Sequence, residues 1–124
     1  MTDSTSCLPP DVVKEYDIRV VPATLMIDGK AYSDQVSLTS DEFWRMFKEA
    51  KDIPTTGAIS SGAFAATFLE LSKSVDGIVC ILVSGALSAI HESAVQAREM
   101  VKSRDSNTPI EIIDSKTSSH PTRL

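Results

Sequence analysis

The chain has 124 residues with 17 acidic and 12 basic side chains and a formal charge of −5, which is enough for one hydrophobic core and too short for two. The charges are dispersed without a basic block, excluding nucleic acid and an anionic membrane surface as partners, and no stretch approaches the ~18 apolar residues of a membrane span. Two distant cysteines, Cys7 and Cys80, fit a reducing compartment rather than a disulfide scaffold, and without a basic-then-apolar leader the expected location is the cytoplasm.

The first predicted element is a short helix over PPDVVKEYD, opened by prolines suited to a first helical turn and carrying Val12, Val13 and Tyr16 on one side. An apolar, β-branched segment, IRVVPATLMI, follows. Pro22 interrupts it and predicts an edge or a bulge there, and Asp28-Gly29 closes a small hairpin over Thr24 to Ser33. A helix is expected over TSDEFWRMFKEA, with Thr39 or Ser40 as N-cap, Asp41 and Glu42 in the first turn, and Phe43, Trp44, Met46, Phe47 and Ala50 toward the core.

KDIPTTGAISSG has the composition of a loop, ending in Ser60 or Ser61 as the cap of a helix with Phe64, Phe68 and Leu71 on one stripe. The unbroken apolar run Ile78 to Val83 then predicts a buried strand. A helix from about Ala86 to Lys102 follows, with Ile90, Ala94, Ala97 and Val101 facing inward, and a last strand IEII leads into DSKTSS. Continuous apolar strands alternating with helices predict an α/β fold of three layers: a mainly parallel sheet with helices on both faces, plus the small β-hairpin.

The chain opens on a polar turn, MTDSTS, of the kind that follows a strand. The expectation is a fold over residues 1–119 lacking its first strand, with 120–124 as a polar tail. Hydroxyl-rich segments recur at Asp3 to Ser6, Thr55 to Ser61, Ser84 to Ser88 and Asp114 to Ser119. In a parallel sheet the strand-end turns share one edge, where ligands bind. The turn at Ser84 and Gly85, feeding a helix, points backbone N–H groups at whatever sits above it and favours an anion or carboxylate.

TDSTSCLPP, VVPATLMIDGKAYSDQVSLTSDEFW, PTTGAISSGAF, VSGALSAIHESA and IIDSKTSS stand in the order and spacing of a known pattern. The chain resembles the amino-terminal domain of DegV proteins, the fatty-acid-binding subunits of bacterial fatty acid kinase. The resemblance implies that a long-chain fatty acid is bound with its carboxylate at strand-end hydroxyls and its tail among apolar side chains. A separate kinase subunit then phosphorylates it, so the DegV chain is carrier and not catalyst.

Carried over by motif, Thr56 in PTTG and Ser88 in GALSA are the carboxylate contacts, and Ser4, Thr5, Gly57, Ser84, Gly85 and Ala89 are possible pocket lining. The pattern departs from the family at Gly57, Ala58 and Ile59, where Ser-Gln-Pro is usual, at Ala89, Ile90 and His91, where Gly-Thr-Tyr is usual, and at Cys7, where an acidic residue is common. The family's second domain, with a histidine and an arginine near the carboxylate, is not in the chain. A truncated remnant without activity of its own and a phosphate- or small-anion-binding α/β domain are the alternatives.

Ser88 and His91 lack the Gly-x-Ser-x-Gly elbow of a hydrolase, because Ala86 and Ala89 flank Ser88. His91 reads as a half-exposed surface side chain and His120 as part of the tail. Neither has a cysteine or carboxylate at ligand spacing, so no metal and no cofactor beyond the fatty-acid ligand is expected. Asp3 and Asp114 read as turn residues bonding backbone N–H groups. A domain with one wall of its tunnel missing is also expected to expose apolar surface through which it could self-associate.

Overall fold

The computed structural model describes residues 1–104 and 107–118. His120 and the tail 120–124 lie outside the described residues. Strands β1 (Thr2–Asp3), β2 (Val20–Val21), β6 (Ile78–Leu82) and β7 (Ile110–Asp114) form a parallel sheet in the order β2-β1-β6-β7. Strands β3 (Thr24–Ile27), β4 (Lys30–Ser33) and β5 (Thr55–Gly57) form a second, antiparallel sheet in the order β4-β3-β5. The helices are α1 (Pro10–Glu15), α2 (Ser40–Glu49), α3 (Ser61–Ser72) and α4 (Ile90–Lys102). The α/β class, the parallel sheet and the hairpin agree with the sequence reading.

Four features of the element layout differ from it. A first strand is present: Thr2 and Asp3 pair with β2 on one side, and Thr2 pairs with Ile81 of β6 on the other, because both neighbours offer open backbone groups there. The segment read as a loop before α3 contains β5, which lies against β3 with Leu25 opposite Thr56. Thr56 and Gly57 therefore sit in a strand of the second sheet.

The third difference is helix α4, which starts at Ile90 rather than near Ala86, so Ser88 precedes the helix instead of lying in its first turn. The fourth is the covering of the parallel sheet. Ile78, Cys80 and Leu82 are buried under α3 and α4 with Phe64, Phe68, Ala94, Ala97 and Val101. Val79, Ile81 and Ile113 point the other way and are 50%, 48% and 46% exposed. Helix α1 reaches that second face at one end, where Val12 shares a cleft with Val79 and Ile81. An unbroken apolar strand predicts burial on both sides, and here only one side has a complete cover.

Pro22 marks the crossing of the chain from edge strand β2 into the second sheet, where a missing N–H costs no ladder bond. The turn at Asp28 and Gly29 takes positive φ at both residues, 47° and 79°, as a tight hairpin requires. A small core of Leu25, Ile27 and Leu38 holds the second sheet under α2 through Phe43, Met46 and Ala50.

Trp44 and Phe47, expected inside, are 58% and 42% exposed and stack with Phe43 on the outer flank of α2. Phe43, Met46 and Ala50 take the side of α2 that packs on Leu25, Ile27 and Leu38, which leaves Trp44 and Phe47 outside that contact. Thr39 caps α2 in a reciprocal box with Glu42, and these bonds hold the Glu42 carboxyl below the ordinary carboxylate range. Ser60 caps α3, its hydroxyl accepting the Ala63 N–H.

Candidate functional site

The carboxyl ends of β1, β6 and β7 meet at one edge, and two carboxylates organise it. Asp3 is fully buried. One of its oxygens accepts the Thr5 N–H at 2.9 Å and the Thr5 hydroxyl, and the other accepts the Val83 N–H at 3.3 Å. Asp114 accepts the Lys116 N–H at 2.8 Å and the Gly85 N–H at 3.2 Å. The Lys116 N–H, then the Gly85 N–H and the nearby His91, hold the Asp114 carboxyl below its usual range. Both residues do what the sequence reading assigned them: they tie turns together through backbone donors.

Two cavities flank this edge. The first, about 430 Å³, is an apolar cleft over the open sheet face, floored by Val79 and Ile81, walled by Leu8, Val12 and Ile18, and bordered by the hydroxyls of Ser6, Ser115, Thr117 and Ser118. The second, about 450 Å³ and open to solvent, lies over the β6–α4 turn and is lined by Gly85, Ala86, Leu87, Ser88, Ala89, His91 and Glu92. A Cβ at Gly85 would lie 3.4 Å from an Asp114 oxygen and 3.5 Å from the His91 Cβ, in ordinary van der Waals contact with both.

Of the expected site residues, Ser88, Gly85 and Ala89 come together around the second cavity. Ser88 is half-buried and its hydroxyl accepts the Ile90 N–H at 3.3 Å. Ser84 is buried and turned inward, accepting the Ala86 N–H. Ser4 is also buried and accepts the Ala23 N–H at 2.9 Å, and the Thr5 hydroxyl is committed to Asp3. Thr56 is exposed and lines neither of these two cavities; Gly57 beside it pairs with Thr24, next to the residue that Ser4 holds.

Ser115, Thr117 and Ser118 were legible only as a hydroxyl-rich run, and His91 was read as surface. Their shared cavities arise from tertiary placement. Among the described residues no cluster of His, Cys, Asp and Glu could hold a metal ion, and no helix is long and apolar enough to cross a membrane.

The two cysteines differ sharply. Burial pushes the Cys80 thiol up to about 12, whereas Cys7 is exposed, its thiol raised by partial burial and by Asp34 and Asp3. A thiolate is the reactive form. At pH 8 the native protein is expected to release one equivalent of thionitrobenzoate from an aromatic disulfide reagent, slowly, and a second only in denaturant. Two equivalents in the native state would contradict the buried placement of Cys80.

A family model for an uncharacterised protein of the DegV family matches residues 1–124. The chain belongs to the DegV family. A DegV domain-containing protein of Caldanaerobacter subterraneus is 43% identical to this DegV chain over 116 residues, covering 94% of it and 40% of that relative. A DegV domain-containing 15.5 kDa protein of Staphylococcus aureus is 38% identical over 117 residues, covering 94% of this chain and 79% of its own length. The chain thus spans about two fifths of the first relative and most of the second.

Among solved structures, a stearic-acid-binding protein from Eubacterium ventriosum superposes with a TM-score of 0.88 at 26% identity, over 95% of this DegV chain and 41% of its own. A DegV family protein from Thermus thermophilus, described for its fatty acid binding, gives 0.78 at 30% identity over 96% and 41%. The Streptococcus pneumoniae Fatty Acid Kinase B3 protein, loaded with linoleic acid, gives 0.70 at 22% identity over 81% and 34%, a likeness of fold.

Proposed function

We propose that this DegV chain binds a long-chain fatty acid through strand-end hydroxyls, without catalytic groups of its own, and presents the carboxylate to a separate fatty acid kinase subunit. The observation that carries the reading is the wall of the second cavity, where Ser88 stands at the entry of α4 beside Leu87, which is 66% exposed. The Ser88 hydroxyl accepts the Ile90 N–H and still has its own proton to donate to a carboxylate oxygen. The first-turn N–H groups of α4 favour negative charge at the same place, and Leu87 offers the first apolar contact for the tail. The similarity to fatty-acid-binding DegV structures supports this ligand class. Thr56 is the second proposed contact, carried over by motif alone.

Oleate titration of the wild-type chain, Ser88→Ala and Thr56→Val tests the reading. A hydrogen bond to a charged acceptor contributes roughly 1.5 to 3 kcal/mol, so each variant is expected to bind about tenfold to a hundredfold more weakly. A Ser88→Ala protein that melts several degrees earlier and binds oleate unchanged would assign the hydroxyl to the Ile90 N–H alone and overturn its role in binding.

A further inference from the structure

His91, in the first turn of α4, and Asp114, at the end of β7, both reach the turn at Gly85. A Cβ on Gly85 would lie 3.5 Å from the His91 Cβ and 3.6 Å from its Cγ, so the root of the imidazole rests on that turn. Asp114 fixes the turn through backbone donors, one oxygen accepting the Gly85 N–H at 3.2 Å and the other the Lys116 N–H at 2.8 Å. His91 has no such commitment. It is half-buried, and among the described residues its ring nitrogens make no hydrogen bond and no ion pair. The ring lines the open cavity of about 450 Å³ together with Ser88 and Glu92.

The charges around the ring come from β7, the turn after it and α4 itself. Backbone donors from Lys116 and Gly85, and then the nearby His91 and the Lys116 ammonium, hold the Asp114 carboxyl below its usual range. Glu92 adds a second carboxylate on the cavity wall. Two carboxylates against one ammonium leave this wall net negative while the imidazole is neutral, which opposes a further anion. Protonation of the ring balances the set and turns both nitrogens into donors beside the Ser88 hydroxyl.

We propose that His91 is a third carboxylate-binding residue, its protonated ring donating to the same ligand carboxylate that Ser88 contacts, so that binding takes up a proton. The inference rests on reading this cavity as the head-group site. Histidine side chains change charge between about pH 5 and 8, whereas an aliphatic carboxylic acid is ionised above about pH 5. Affinity is therefore highest near pH 6 and falls as rising pH removes the His91 proton. It falls again below about pH 5, where the ligand loses its own charge.

The test is an octanoate titration of the full chain followed by NMR. The reporters are the His91 ring, observed in a His120→Gln background that leaves one imidazole, and the backbone amides of Gly85, Ser88 and Ala89. The expected result is a His91 titration midpoint roughly one pH unit higher with saturating octanoate and, by reciprocity, octanoate bound about fivefold tighter at pH 6 than at pH 8. His91→Gln should bind equally at both pH values, because glutamine donates without titrating. Ser88→Ala should bind more weakly at both and keep the ratio. Octanoate that shifts the three amides without moving the His91 midpoint would overturn the role of His91 and leave the head-group site standing, as would a His91→Gln protein that keeps the fivefold ratio. Octanoate that leaves those amides unshifted would overturn both.

Discussion

Phe68→Ala is expected to destabilise the fold by about 3 to 5 kcal/mol, the range for emptying a buried aromatic site. Phe68 and Phe64 are 0% exposed, lie 6.1 Å apart between ring centroids, and fill the space between α3, α4 and the sheet. Neighbours on two helices and a sheet cannot all collapse into the same void. A small domain has ~5 to 15 kcal/mol in total, so the variant should unfold at much lower urea and could be largely unfolded at 37 °C. Trp44→Ala removes more volume from the outer flank of α2 and should cost far less. A Phe68→Ala midpoint no lower than that of Trp44→Ala would contradict the division between core and surface.

Asp3→Ala is expected to cost about 2 to 4 kcal/mol, although it deletes a polar side chain from a protein rich in acidic residues. Its carboxylate joins the end of β1, the turn at Thr5 and the N–H of Val83 just beyond β6. Removal leaves the Val83 N–H without its charged acceptor in a part-buried place, the costly side of the hydrogen-bond balance. Asp3→Asn keeps one acceptor oxygen and should lose about half as much. Urea unfolding with an unchanged m-value is the measurement. A loss below about 1 kcal/mol for Asp3→Ala would show that the three segments hold together without it.

Local chemistry made much of this architecture legible. Thr39 with Glu42, Ser60 ahead of Phe64, and Asp28-Gly29 between two apolar runs each need only neighbours in the chain to act, and each takes its expected place. Asp3 and Asp114 were readable as turn residues for the same reason. Periodicity also gave the inward faces of α3 and α4 correctly, because Phe64, Phe68, Ala94, Ala97 and Val101 repeat at helical spacing.

Tertiary structure decided what periodicity cannot express. The run Ile78 to Leu82 is apolar at every position, and only the placement of α3 and α4 makes Ile78, Cys80 and Leu82 core while Val79 and Ile81 floor a cleft. Thr55 to Gly57 has the composition of a loop and becomes a strand because β3 offers a free edge, a partner about thirty residues away in the chain. Ser88 and Thr56, assigned together from motifs, land in different settings: one on a cavity wall ahead of α4, the other in the second sheet. The sequence alone determined the α/β class, the caps, the hairpin and the hydroxyl-rich edge, since each follows from neighbouring residues and their spacing. Which sheet face stays open and which hydroxyls share a cavity depend on contacts between segments far apart in the chain.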